Sequence, residues 1–226
     1  MAEPVLVARC VEAMARATDR PITVKCRLGI TRPARGDTPA LELDNDDHLH
    51  GFVRGLRSAG VAGVIVHARK AVLGGLSPKD NRTIPPLQYE RVFALKQAFP
   101  TLPISLNGGL STMDACEAAL AHCDGVMIGR AAYHDPCLLG ALHERLSAQK
   151  AAAPTLPSVI AAYAAYAEEQ FAAGVPLPVL TRPLLGLVQG RPGARRFRRL
   201  LSEDARNPAA NPGLLTEALA LVQEAA

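Results

Sequence analysis

Strand, polar tip and helix recur four times along this chain, and that recurrence predicts an α/β fold with a parallel sheet, of the (β/α)8 TIM barrel type. Three observations carry the prediction. Short apolar segments at 22–27, 64–69, 104–107 and 126–130 read as strands, and a stretch of helical periodicity follows each one. Their ends carry Lys25, His67, Asn107-Gly108-Gly109 and Gly129-Arg130, polar or glycine groups at the place where barrels put their chemistry. From about residue 151 the strands stop and Ala- and Leu-rich helical stretches run on, which predicts an all-helical second domain. The expected division is therefore 1–150 and 151–226.

Taken in order, Pro4 opens an amphipathic helix over residues 3–17, with Val5, Leu6, Val11 and Met14 at helical spacing. The strand at 22–27 follows, then a polar loop over 31–47 rich in Pro, Gly and Asp. Asp44-Asn45-Asp46-Asp47 reads as the cap of a helix reaching about Ser58. Further helices are expected at 87–98, 112–122 and 131–148, between the later strands. Beyond them, helical stretches fall at 158–173, 181–189, 194–201 and 212–225, with Pro176 and Pro178 as breakers and Gly190-Arg191-Pro192-Gly193 as a turn.

Four βα units are about the C-terminal half of a closed barrel, which takes roughly 250 residues for all eight. Such a half exposes a strand edge and a hydrophobic sheet face, so self-association through the open edge is expected.

Composition narrows the class. The chain has 226 residues, 49% of them hydrophobic, enough for a sizeable core. No apolar run is long enough to span a bilayer, and the first residues lack the basic and apolar regions of a signal peptide, so a cytoplasmic protein without membrane contact is expected. Five cysteines, an odd count with no Cys-x-x-Cys pair, predict reduced thiols rather than disulfides or zinc. His48, His50, His122, His134 and His143 form no ligand set, so no metal is expected. There is no P-loop and no Gly-x-Gly-x-x-Gly, which removes the ordinary NTPase and Rossmann readings.

Alternation within residues 22–27 puts Lys25 on one face with Thr23 and Arg27, opposite Val24 and Cys26. His67 sits at a strand end with Arg69 and Lys70 close behind. Glycines at 108, 109 and 129 let backbone N–H groups approach a phosphate, with Arg130 in reach. Tight turns would account for the glycines alone but not for two sets at equivalent places beside an arginine. Basic residues also gather at Arg69, Lys70, Lys79 and Arg82, and at Arg191, Arg195, Arg196, Arg198 and Arg199 around Phe197, clusters that suit a phosphate backbone.

Seven stretches together carry a family resemblance: residues 24–30 (Val-Lys-Cys-Arg-Leu-Gly-Ile), 66–71 (Val-His-Ala-Arg-Lys-Ala), 75–82 (Gly-Leu-Ser-Pro-Lys-Asp-Asn-Arg), 85–87, 107–109, 124–131 and 192–195. The chain closely resembles the bacterial tRNA-dihydrouridine synthases, specifically the A subgroup, over nearly its whole length. The resemblance implies a flavoprotein oxidoreductase of tRNA processing, in which NADPH reduces FMN and the flavin passes a hydride to C6 of a D-loop uridine, at positions 20 and 20a for this subgroup. It implies flavin contacts at Lys25 and His67, and FMN phosphate contacts at Asn107, Gly108, Gly109, Gly129 and Arg130. It implies tRNA contacts at Arg69, Lys70, Lys79, Asn81, Arg82, Arg195 and Arg198, with the helical domain binding RNA. Two departures stand out. Family members carry roughly another hundred residues before the stretch matching Met1, including the catalytic cysteine that protonates C5. None of the five cysteines here matches it, so no catalytic residue is assigned and a truncated form is expected. The loop over 31–47 is also longer and richer in proline than the family pattern. The competing readings are a non-catalytic tRNA-binding module and an FMN enzyme of the same fold acting on a small molecule.

Overall fold

A computed structural model describes residues 1–146, 152 and 154–223. The chain divides into two compact units, Met1–Ile128 and Gly129–Ala226. The division expected at 150/151 falls at residues outside those described.

In the first unit, α1 (Pro4–Ala17) precedes β1 (Thr23–Arg27), with Pro4 at the first helical position. The expected polar loop at 31–47 holds two short strands, β2 (Ile30–Arg32) and β3 (Leu41–Leu43), paired antiparallel. Three-residue strands flanked by Pro, Gly and Asp leave too little alternation for a sequence signal. Next come α2 (Asp46–Ser58), β4 (Gly63–His67) and β5 (Ala71–Val72), which pairs parallel with β2. Then follow α3 (Tyr89–Ala98), β6 (Ile104–Asn107), α4 (Met113–Leu120) and β7 (Gly125–Met127). Asn45 caps α2, its Oδ1 accepting from His48 N–H at 2.8 Å, and Thr112 caps α4 through Ala115 N–H at 3.2 Å.

Strands β1, β4, β6 and β7 form one parallel sheet in that order, open at both edges. The alternation in each strand sends Cys26, Val64, Val66, Ile104 and Leu106 to a buried face, in a core shared with Leu49, Phe52, Val53 and Leu56 of α2 and Val92 and Leu95 of α3. The opposite face carries Thr23, Lys25, Arg27, Ile65, Ser105, Asn107 and Met127, all exposed or half-buried, with Gly63 and His67 buried among them. This corrects the expectation of a hydrophobic open face: most of these side chains are polar.

One carboxylate ties two of these elements. Asp124 Oδ2 accepts from Ile104 N–H at 2.8 Å and from Lys96 Nζ at 2.7 Å. Burial would raise the Asp124 carboxyl, but the Ile104 N–H and the Lys96 ammonium outweigh it and hold it below the usual carboxylate range. A depressed folded-state value gives stability that is complete above the ordinary carboxyl value of about 4 and is lost as pH falls through the lower folded value. Urea midpoints of the protein and of Asp124→Asn should therefore differ by a constant amount above about pH 5 and converge below about pH 4.

In the second unit the regular elements among the described residues are all helical, chiefly α5 (Arg130–His134), α6 (Cys137–Leu146), α7 (Leu156–Ala172), α8 (Leu177–Thr181), α9 (Ala194–Ser202) and α10 (Leu214–Gln223). The single helix expected over 131–148 is two, broken at Asp135-Pro136, since a proline cannot donate within a helix. Its last two residues lie outside those described. Pro176 and Pro178 start α8 rather than ending a helix, and the helix expected at 181–189 is the end of α8 followed by a 3-10 turn at Arg182–Leu184. Residues 224 and 225 of the last expected helix are also outside those described. Ile160, Leu184, Val188, Phe197, Leu201, Leu215 and Ala218 form the core of this unit.

Candidate flavin and RNA site

Register builds the site on the first unit. Parallel pairing sets Arg27 opposite His67, His67 opposite Asn107 and Asn107 opposite Met127, a row across the C-terminal ends of all four strands. Lys25 lies on the same face one pleat behind, with Arg27, as alternation predicts. Burial and the neighbouring Arg27 charge both lower the Lys25 ammonium. Asn107 is tied at the tip, its Nδ2 donating to Met127 carbonyl oxygen at 2.7 Å.

His67 is 8% exposed, and Gly108 makes room for its ring. A Cβ on Gly108 would stand 2.6 Å from His67 Cδ2 and 3.0 Å from Nε2, at a backbone φ of +116° that side chains avoid. Tyr89 Oη donates to the Gly108 carbonyl at 2.6 Å and so fixes the turn. Tyr89→Phe removes that bond and should lower flavin retention about threefold to tenfold, with a loss of about 1 kcal/mol in stability by urea titration. Gly109 follows, exposed, ahead of the Thr112 cap of α4.

Gly129 and Arg130 open the second unit as N-cap and first residue of α5, both exposed. With five residues, α5 carries little macrodipole, so the local positive character there is that of Arg130.

The basic residues after His67 divide by role. Arg69 Nη1 donates to the carbonyls of Thr83 and Pro85, and Lys70 Nζ lies 3.3 Å from Asp44 Oδ2. Lys79 and Arg82 are exposed on the same loop, on either side of Asn81. Arg195 and Arg198 project from the exposed side of α9, whose Ala194, Phe197 and Leu201 face the core. Arg199 of that cluster pairs with Glu203 at 3.0 Å.

Sequence reasoning missed Asp44, read there as part of a cap. Its side chain, 10% exposed, accepts from Arg91 Nη1 at 2.7 Å as well as meeting Lys70, so one carboxylate joins the loop before α2, the loop after β4 and α3. Its partners lie more than twenty residues away, and no local pattern marks them. His48 and His50 also go separate ways, to Met1 carbonyl oxygen at 3.2 Å and to the edge of the Phe99 ring. All five cysteines are free thiols. Burial pushes the Cys26 thiol up to about 12, although the Lys25 charge opposes it, and burial with the Asp124 charge pushes Cys123 to about 11.

Residues 1–224 match the family "Dihydrouridine synthase (Dus)". The chain belongs to the dihydrouridine synthase family. It is 48% identical over 223 residues to a protein named tRNA-dihydrouridine(20/20a) synthase from Xanthomonas axonopodis pv. citri, covering 97% of this chain and 62% of that one. Proteins of the same name from Yersinia pestis and Pseudomonas putida are each 43% identical, covering 98% and 99% of this chain and 62% and 63% of theirs. The chain thus spans about three fifths of the length of these dihydrouridine synthases. A solved phosphoenolpyruvate phosphomutase from Streptomyces platensis subsp. rosaceus superposes with a TM-score of 0.42 at 19% identity, covering 64% of this chain and 50% of that one, a likeness too slight to bear on function. Among the described residues of this family member, no helix is long and apolar enough to cross a membrane.

Proposed function

We propose that this chain supplies the flavin-facing sheet and the RNA-facing loops of a tRNA-dihydrouridine synthase of the 20/20a type. That enzyme is an oxidoreductase reducing a D-loop uridine to 5,6-dihydrouridine with FMN and NADPH. The observation that carries the proposal is the row Arg27, His67 and Asn107, with Lys25 behind it, on the polar open face of a parallel sheet at the ends of its strands. Ligand-binding side chains of α/β barrels occupy that position, and the four strands are read as part of such a barrel.

The residues fit a flavin. The turn at Gly108 packs directly on the His67 ring with no side chain between them, and glycines at 108 and 109 would allow close backbone approach by a phosphate at the strand end. Lys25 and His67 would face the ring. Asn107, Gly108 and Gly109 would hold the phosphate from this unit, and Gly129 and Arg130 are assigned phosphate contacts from their match to the family motif. When bound, FMN supplies the hydride and NADPH restores it. Lys25 would supply positive charge beside the bound ring, and Tyr89, donating to the Gly108 carbonyl, holds the turn in place. Cys26 lies on the buried face of β1, opposite Lys25 and Arg27, and is not assigned as a proton donor in the reaction. Lys79, Arg82, Arg195 and Arg198 are the leading tRNA contacts. Arg69 and Lys70 join them from positions already tied to the loop.

The test is flavin retention. Purified protein incubated with FMN and desalted should keep the yellow chromophore, and Lys25→Ala with His67→Ala should lose it while remaining folded by circular dichroism. A folded protein that binds tRNA without retaining flavin would instead establish the RNA-binding module.

A further inference from the structure

The loop that leaves β4 after His67 is a closed excursion: Ala68 N–H donates to Asn107 carbonyl oxygen at 2.9 Å, and Gln88 N–H returns to Ala68 carbonyl oxygen at 2.9 Å. Inside it, β5 is held to β2 on one edge only. Ala71 N–H donates to Gly29 carbonyl oxygen and Leu73 N–H to Thr31 carbonyl oxygen, at 2.9 and 2.7 Å. Alternation then turns the N–H and C=O of the residue between them, Val72, to the other edge.

Asn81 meets both. Its Oδ1 accepts from Val72 N–H at 2.8 Å, and its Nδ2 donates to Val72 carbonyl oxygen at 2.8 Å and to Leu76 carbonyl oxygen at 3.4 Å. A carboxamide has one donor side and one acceptor side, as a peptide unit does, so here a side chain takes the place of a neighbouring strand. The sequence around it presents it: Ser77 Oγ ties down the first residue of the 3-10 turn Asp80–Arg82, accepting from Asp80 N–H at 3.1 Å and donating to Asp80 Oδ2 at 2.7 Å. The backbone of the same residue reaches the sheet, where Arg27 Nη1 donates to Asn81 carbonyl oxygen at 2.6 Å and to Lys70 carbonyl oxygen at 3.0 Å. Arg27 stands on the site face, opposite His67 in register.

We propose that Asn81 is a positioning residue and not an RNA ligand: with Arg27 it clasps the loop to the flavin-facing sheet and sets where Lys79 and Arg82 stand. The clasp is independent of RNA; its use in presenting those two cations rests on the RNA reading given above. Asp in this place would keep the acceptor for Val72 N–H and lose the donor for the two carbonyls. Alanine would lose both.

Three measurements on the purified protein test this. First, Asn81→Ala should speed amide exchange at Val72 about tenfold or more and raise the rate of tryptic cleavage after Lys79 and Arg82, while flavin retention stays unchanged. Secondly, Asn81→Asp should keep Val72 N–H protected and show intermediate cleavage, which guards against a folding failure in the alanine variant. Thirdly, tRNA affinity should fall about tenfold in Asn81→Ala, and its salt slope should drop by about 1.5 although the residue lost is uncharged, because two cations have been displaced. Unchanged Val72 exchange in Asn81→Ala overturns the clasp. So does Asn81→Asp indistinguishable from the parent in cleavage and tRNA affinity. Weaker tRNA binding with an unchanged salt slope and unchanged exchange would make Asn81 a direct ligand and overturn the proposal equally. The double variant Lys79→Ala with Arg82→Ala tests the RNA reading by itself: if it leaves the salt slope unchanged, that reading fails, and Val72 exchange still decides the clasp.

Discussion

Gly108→Ala should abolish flavin retention and cost about 2–4 kcal/mol of stability. Two effects add. The first is backbone strain, since φ at this position is +116° and an L side chain there costs on the order of 1–3 kcal/mol. The second is collision: the new methyl would lie 2.6 Å from His67 Cδ2 and 3.1 Å from Leu87 Cδ2, and a ring only 8% exposed has little room to retreat. Gly60→Ala separates the two, because φ there is +84° and nothing lies within 4 Å of the added atom. That control should lose about 1 kcal/mol and keep its flavin. Desalted absorption spectra and urea titrations of both variants give the comparison. Full flavin retention in Gly108→Ala would show that the turn beside His67 is not where the cofactor sits.

Phe197→Ala should lose about 3–5 kcal/mol, the range for truncating a fully buried aromatic side chain. Phe197 is completely buried in the core of the second unit, between arginines that are exposed on either side of it in sequence. The buried set Ala194, Phe197 and Leu201 recurs at helical spacing, so the same side chain that fills the core also fixes which way Arg195 and Arg198 point. Gly193 assists: at φ +77° it turns the chain into α9, and a Cβ there would strike Leu221 carbonyl oxygen. The expected readout is a lower urea midpoint together with weaker tRNA binding, with flavin retention by the first unit less affected. A loss below about 1.5 kcal/mol would contradict the packing.

Much of the architecture was legible because its causes are local. The four sheet strands, α1, α2, α3, α4, α7 and α9 follow from periodicity and caps within a window of a few residues, and the shared face of Lys25 and Arg27 follows from the pleat. The family was legible too, since its motifs are contiguous stretches. The hairpin β2–β3 was not, because three-residue strands hold only through their pairing. The breaks at Pro136 and in the 181–189 stretch were overridden by the Leu- and Ala-rich residues around them, although Asp135-Pro136, Pro183 and Gly186 each disfavour a helix interior.

By itself, then, the sequence determined the alternation of strand and helix, the strand-end places of His67 and Asn107, the helical character of the last third and membership of the dihydrouridine synthase family. It did not determine the places of Lys25, which lies within β1, or of Gly129-Arg130, which open α5. Only the tertiary structure decided that the open sheet face is polar, that Asp44 joins Lys70 to Arg91, and that Asn81 grips Val72 while Arg27 holds its carbonyl. The physical reason is range. Periodicity and capping depend on neighbours in the chain, whereas a side chain that bonds a backbone group nine or fifty-four residues away leaves no mark in its own surroundings.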